Sequence, residues 1–423
     1  MKKLKVSLNG RGGLVGKVLI LPQHDFITMW RLGFFIHEMA FGLLSVFIPL
    51  YVIAVGGSLI DVGIMTATAL FSVIPASFFW GYICDRTRRY KRYILLSFFT
   101  TTIILYLFTF ITSVILLIIL YTLMSILHVA HEAPKNVLIA ELYSHNEWKK
   151  AFAFYEGFTE IGWLFGLLLG FAASTYNLNS GTLLLLCSGL NFVAFFISIF
   201  LITDPVMIFE RKLVSIEKTI DFTYKGVILA SKIIDGLKTN GKLKRENNNA
   251  FGTGLILFSL ATNMLFTPLP IFFSKNLALP TSIIFAIYAL NSIGEVTGYF
   301  IASNDSEQWT QKMHICKIVL ARSVLTILLI PVLYLPNVNI VLATLILTLM
   351  SFAYAVFLVR TLALFMELIP AGKTGLFNVL TGVGGACGSF IGPYMAQTLG
   401  FAYVFIIASA LFLLSYLAFE IFA

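Results

Sequence analysis

Twelve apolar runs, each near the length of a membrane helix, succeed one another along this chain, and nothing else in it constrains the fold as strongly. A helix needs about 20 such residues to cross a hydrocarbon core about 30 Å thick. The runs fall at 26–54, 59–83, 93–112, 115–142, 148–174, 181–203, 250–275, 281–302, 313–335, 338–367, 373–398 and 400–421. With 59% of its 423 residues hydrophobic and only 12% charged, the chain has more apolar side chain than a soluble interior can hide, so lipid must solvate much of its surface. The expected fold is an all-α membrane protein of twelve transmembrane helices.

Lysine and arginine set the orientation. The segments on the side of the N-terminus hold Lys2, Lys3, Lys5, Arg11 and Lys17, then Arg86 to Arg92, then Lys149 and Lys150, then nine basic residues from Arg211 to Arg245, then Lys312. The loops on the other side hold essentially Lys275. The positive-inside rule therefore predicts a multi-pass protein of the plasma membrane with both termini in the cytoplasm. That asymmetry, with some attraction to anionic lipid, accounts for the net charge of +9 and calls for no nucleic acid. The first apolar run is too long for a signal-peptide core. Near the N-terminus, "GRGGLVGK" lacks the glycine placement of a phosphate loop and has Val18 where Ser or Thr is required. Cys84, Cys187, Cys316 and Cys387 are scattered and predict neither a disulfide nor a metal site.

Residues 204–249 turn abruptly polar and divide the runs six and six, so the expected domains are 1–203, a cytoplasmic linker at 204–249, and 250–423. Within the linker, Ile220, Val227 and Ile234 stand at helical spacing opposite Lys225, Lys232 and Asp235, which predicts an amphipathic helix on the inner leaflet. The halves echo each other. "MSILHVAHEAPKNVLIAEL" (124–142) answers "MSFAYAVFLVRTLALFMEL" (350–368), and Gly162, Gly166 and Gly170 answer Gly384, Gly388 and Gly392, followed by Pro393. Parallel six-helix repeats are the architecture of alternating-access transporters, whose substrate site lies between the halves near mid-membrane.

The loop between the second and third runs reads "GYICDRTRRYKR", with Gly81, Asp85 and Arg86 followed by Arg89, Lys91 and Arg92. It resembles the signature loop of the major facilitator superfamily, with Arg88 where that loop has a glycine. The resemblance extends to the number of spans, the repeat and the central loop. It implies that Asp85 meets the start of the eleventh span, Lys373-Thr374-Gly375, and holds one face closed, as a carboxylate at a helix N-terminus can. Gly157, Gly166 and Gly170 in the fifth run are similar to the antiporter motif of the same superfamily, with Phe171 where the motif has proline. The closest resemblance is to its drug:proton antiporters, which implies a monomer driven by the proton gradient with no cofactor.

Charged residues inside the runs point to the site. His128, His131, Glu132 and Lys135 share one face of the fourth run beside Pro134. Glu38, Glu132 and Glu160 stand at a common depth of about 15–18 Å along their helices. Arg31, His37 and Glu156 complete the group. Each charge at the centre of a membrane helix costs about 2.5–3.5 kcal/mol on insertion scales, so a cluster demands a purpose. One purpose is proton uptake by a carboxylate, with His131 as relay; the other is ion pairing, Arg31 with Glu38 and Lys135 with Glu132 or Glu156, that holds the first half together. The second half offers Glu295, Arg322, Arg360 and Glu367, with Asn263 and Asn291.

The expected function is export of small organic compounds, amphipathic or cationic, coupled to protons and working in contact with membrane lipid. A symporter importing a sugar, organic acid or other nutrient, and a lipid flippase, remain as alternatives. The chain is not expected to be an enzyme: "HVAHE" reverses the zinc pattern HExxH only in part and has no third ligand.

Overall fold

The computed structural model describes residues 29–142, 148–204, 248–304, 311–334, 339–368 and 375–422. The amphipathic helix predicted in the linker lies outside the described residues. Twelve long helical segments run through those described. They are α1 (Arg31–Ala54), α2 (Leu59–Thr87), α3 (Tyr90–Phe108), α4 (Val114–His128, through a 3-10 turn at Val129–His131 into Glu132–Leu142), α5 (Trp148–Thr175) and α6 (Ser180–Leu201). In the second half follow α7 (Asn248–Phe266, extended to Asn276), α8 (Thr281–Asn304), α9 (Gln311–Ile327), α10 (Asn339–Leu368), α11 (Gly375–Thr398) and α12 (Phe401–Phe422). Eleven of them are long and apolar enough to span a bilayer among the described residues; α11 is rich in glycine.

The packing repeats between the halves. In the first, α1 lies against α5 and α6, α3 against α6, and α2 against α4; in the second, α7 lies against α11 and α12, α9 against α12, and α8 against α10. Two seams, α5 with α8 and α2 with α11, join the halves. The glycine ladders explain the tightest of these contacts. A Cβ on Gly162 or Gly166 would collide with the carbonyls of Phe35 and Met39 on α1, and one on Gly384, Gly388 or Gly392 with those of Ile256, Leu260 and Met264 on α7. Backbone therefore rests on backbone, the usual recipe where lipid gives helices no hydrophobic reason to associate.

Local signals shape the rest. Ser58 and Asp61 form a capping box that starts α2, and Asn179 accepts from the Thr182 amide at 2.7 Å to start α6. Arg88 ends α2 in the left-handed conformation at φ 53°, where the superfamily loop has its glycine. In α4 the 3-10 turn comes just before Pro134, and the loosened carbonyls find side chains: Trp80 Nε1 donates to Ile126 O at 2.8 Å and Ser97 Oγ to His128 O at 2.8 Å.

On the side where α1 ends, the halves meet. Gly63 of α2 packs on Pro393 of α11, the Ile60 amide donates to Gln397 Oε1 at 3.1 Å, and α1 touches Leu269–Ile271. Nearer the side where α1 begins, a cavity of about 180 Å³ lies between α7, α10 and α11, walled by Phe258, Tyr354, Phe357 and Phe377 with Asn263 and Asn378. A second space of about 180 Å³, between Thr66 and Val73 of α2, Tyr121 and Ser125 of α4, and Thr267 and Ser389, shares Asn263 with the first.

Candidate functional site

The bend in α4 carries the site, because it turns His128, His131 and Glu132 toward α1, α3 and α5. His37 of α1 is fully buried and its Nδ1 lies 2.5 Å from Asn191 Oδ1 of α6. Asn191 Nδ2 donates to Cys187 O at 2.9 Å, so the oxygen faces the imidazole and His37 Nδ1 must carry a hydrogen. The Nε2 of His37 meets His128 Nδ1 at 3.1 Å.

The same bookkeeping places a proton at His131. The Ser97 hydroxyl is 2.8 Å from the His128 carbonyl, which can only accept, so its single hydrogen is used there. Ser97 Oγ therefore accepts from His131 Nδ1 at 3.2 Å. The other ring nitrogen, Nε2, lies 3.2 Å from Glu132 Oε1. A hydrogen bond there requires a hydrogen on the imidazole or on the carboxyl, and with either one the His131–Glu132 pair would hold one proton more than a neutral imidazole beside a carboxylate. Lys135 Nζ closes the group at 2.6 Å from Glu132 Oε2 and 3.6 Å from Glu156 Oε1, over the ring of Tyr155 at 5.2 Å. Glu38 is close enough to Glu132, Lys135 and Glu156 to interact electrostatically with all three.

The expected residues thus separate into groups. His37, Glu38, His128, His131, Glu132, Lys135 and Glu156 form one network. Arg31 stands beside it, its guanidinium 4.8 Å from the Phe154 ring centroid and 5.6 Å from that of Trp30. Glu160 and Glu295 lie instead at the α5–α8 seam, where Ser292 Oγ donates to Glu160 Oε1 at 2.6 Å and Tyr299 OH to Glu295 Oε1 at 3.2 Å. Arg360 is half-buried on α10. Gly157 and Gly170 also face the seam, against Phe300 and Phe285 of α8.

At the loop after α2, none of the described residues lies within 4 Å of where a Cβ on Gly81 would stand. Arg86 Nη1 donates to Tyr82 OH at 3.4 Å, Arg89 precedes α3, and Lys91 donates from its backbone to Asp204 at 2.8 Å. The partner expected for Asp85 at Lys373-Thr374 lies outside the described residues.

Sequence reasoning missed Asn191, Ser97, Ser292 and Tyr155. A lone asparagine in the apolar run "CSGLNFVAFF" was the one available signal for Asn191. The three imidazoles of His37, His128 and His131 have ligand atoms within 4.8 Å of one another and form a possible metal-binding constellation. Hydrogen bonds to Asn191, Ser97 and each other engage both nitrogens of His37 and the Nδ1 atoms of His128 and His131.

The sequence matches the description "Major Facilitator Superfamily" over residues 32–378. The chain belongs to that superfamily. Similar solved structures include the nucleoside transporter NupG, with a TM-score of 0.67 at 12% identity over 94% of this chain and 98% of that one. A mutant of NupG gives 0.67 at 14% identity, covering 94% and 100%. The human organic anion transporter MFSD10 gives 0.66 at 16% identity, covering 94% and 100%. At these identities the likeness is one of fold. No curated protein matches the sequence. Superfamily membership makes the chain a transporter of small molecules and not an enzyme.

Proposed function

We propose that this transporter couples export of small amphipathic organic compounds to proton entry, by alternating access. The observation that carries the reading is the chain of contacts Ser97–His131–Glu132–Lys135, in which a proton can be shared between the imidazole and the carboxylate. Breaking the contact of Lys135 with Glu132, or moving α4 against α5, changes what the pair can hold and so ties protonation to conformation. His37 and His128 extend the network toward α6 and serve as the relay. The distribution of Lys and Arg supports a plasma-membrane location with both termini in the cytoplasm. The cavity beside α10 then opens toward the cytoplasm, where an exporter collects its solute. Nucleosides and organic anions, named for the similar solved structures, are small organic solutes of this general class. Glu132 is already engaged by Lys135 and His131, which weakens the argument from the first half for a cationic solute.

The test is proton flux in liposomes that hold a pH-sensitive dye. Under an imposed pH gradient, an exported compound is expected to move protons against its own direction, and Glu132→Gln to abolish that movement while solute exchange without a gradient persists. Proton movement in the same direction as the solute assigns import instead. Solute equilibration with no proton movement removes the coupling.

A further inference from the structure

Arg322 of α9 is a buried charge of the second half that stands outside the network of the first. Its side chain is fully buried, and none of its guanidinium nitrogens has a hydrogen-bond partner. Rings surround it: Phe258 and Phe412 with centroids at 4.9 Å, Tyr354 at 5.4 Å and Phe266 at 5.9 Å. Aromatic faces attract a cation, but they replace neither the hydrogen bonds of a guanidinium nor a counter-charge. Buried charges in membrane helices are normally paired or stand beside a pathway. Glu295 is near enough to interact electrostatically with Arg322, yet its Oε1 is engaged by Tyr299.

Arg322 stands directly behind a cavity wall. Phe258 and Tyr354, two of the rings against it, are also walls of the cavity between α7, α10 and α11. Tyr354 is half-buried and touches both the guanidinium and the cavity. The cavity, at about 180 Å³, is somewhat larger than the roughly 150 Å³ apolar cavity that holds a benzene. Phe357 and Phe377 offer ring faces, and Asn263 and Asn378 offer amides. Inside a low-dielectric wall a fixed positive charge acts strongly on whatever enters.

We propose that this cavity binds a small single-ring organic acid, with its carboxylate balanced by Arg322 and its ring lying among Phe258, Tyr354 and Phe377. The inference rests on the reading of the chain as an organic-solute transporter and names the charge of the solute.

The test is equilibrium binding to the purified full chain in detergent, which needs neither transport nor a proton gradient. Radiolabelled benzoate is the probe, with benzamide and benzylamine as its neutral and cationic competitors. Benzoate is expected to bind at least about tenfold more tightly than either competitor. Arg322→Gln is expected to lose that preference and Arg322→Lys to keep part of it. Glu295→Gln, which removes the opposing carboxylate, is expected to tighten benzoate binding. The opposite signs separate a counter-charge from a merely structural arginine, and the wild-type comparison stands even where Arg322→Gln does not fold. Absence of any preference for the acid, or an Arg322→Gln protein that retains it, overturns the proposal. Selective benzoate binding without solute-driven proton flux leaves it standing and removes only the coupling; proton flux driven by neutral or cationic solutes without acid preference does the reverse.

Discussion

Ser292 on α8 donates a hydrogen bond to Glu160 Oε1 on α5 at 2.6 Å, tying the two halves across their seam. An intramolecular hydrogen bond contributes about 0.5–1.5 kcal/mol. Ser292→Ala is therefore expected to lower the population of this state by about two- to tenfold relative to its alternative. A cysteine placed at Asn378, on the cavity wall, reports the change through its labelling rate with a membrane-impermeant thiol reagent. Labelling should slow in Ser292→Ala, and an unchanged rate means that Ser292 does not latch the seam.

Lys135 holds two carboxylates, Glu132 at 2.6 Å and Glu156 at 3.6 Å. Removing one partner of a buried pair leaves an uncompensated charge and costs about 3–5 kcal/mol. Lys135→Met is expected to fall in that range, with Glu132→Gln/Lys135→Met recovering a substantial part of the loss. Thermal unfolding in detergent measures both. Equal losses in the single and double variants show that the pair does not act as a unit.

The glycines of α5 and α2 separate packing from signalling. A Cβ on Gly166 strikes the Met39 carbonyl, whereas one on Gly81 meets open space. Gly166→Ala is expected to destabilise by about 1–3 kcal/mol, and Gly81→Ala to leave the unfolding temperature where it was. Any effect of Gly81→Ala should appear only in transport, through a state in which another helix approaches the loop after α2.

Arg88 adopts φ 53° to end α2, a conformation that costs a side-chain-bearing residue about 1–2 kcal/mol and a glycine almost nothing. Arg88→Gly is expected to stabilise the protein by about 1 kcal/mol, allowing for the greater freedom glycine gains in the unfolded chain. A lower unfolding temperature points to a charged contact of Arg88 that outweighs the backbone.

The helices were legible because bilayer thickness fixes their length: the predicted run 59–83 becomes α2 and 281–302 becomes α8 with ends displaced by a few residues. The polar stripe of α4 was legible too, since helical spacing alone puts His128, His131, Glu132 and Lys135 on one face. Lys135 was expected to pair with Glu132 or Glu156, and it reaches both. What spacing could not give was the partner on another helix. His37 and Asn191 are 154 residues apart in sequence and Glu160 and Ser292 are 132, so only tertiary packing brings them together. For the same reason Glu160, which shares its depth with Glu38 and Glu132, turns to the seam while those two face the first half: depth is set by residue count, direction by the rotation that the glycine ladder imposes on α5.

That ladder gives α5 and α11 two faces of different stiffness. Toward α1 and α7 they rest peptide on peptide, with no rotamer to relax, so those joints resist shear like a weld. Toward α8 and α2 they meet largely through side chains, Phe285, Phe300 and Ile74, which can swing between wells at small cost, with Gly63 against Pro393 and the Ser389 carbonyl as the close exception. In the alternating-access cycle proposed above, motion would be channelled to the joints with bearings, and a solute in the cavity beside Tyr354 would ride on a block whose internal geometry stays fixed.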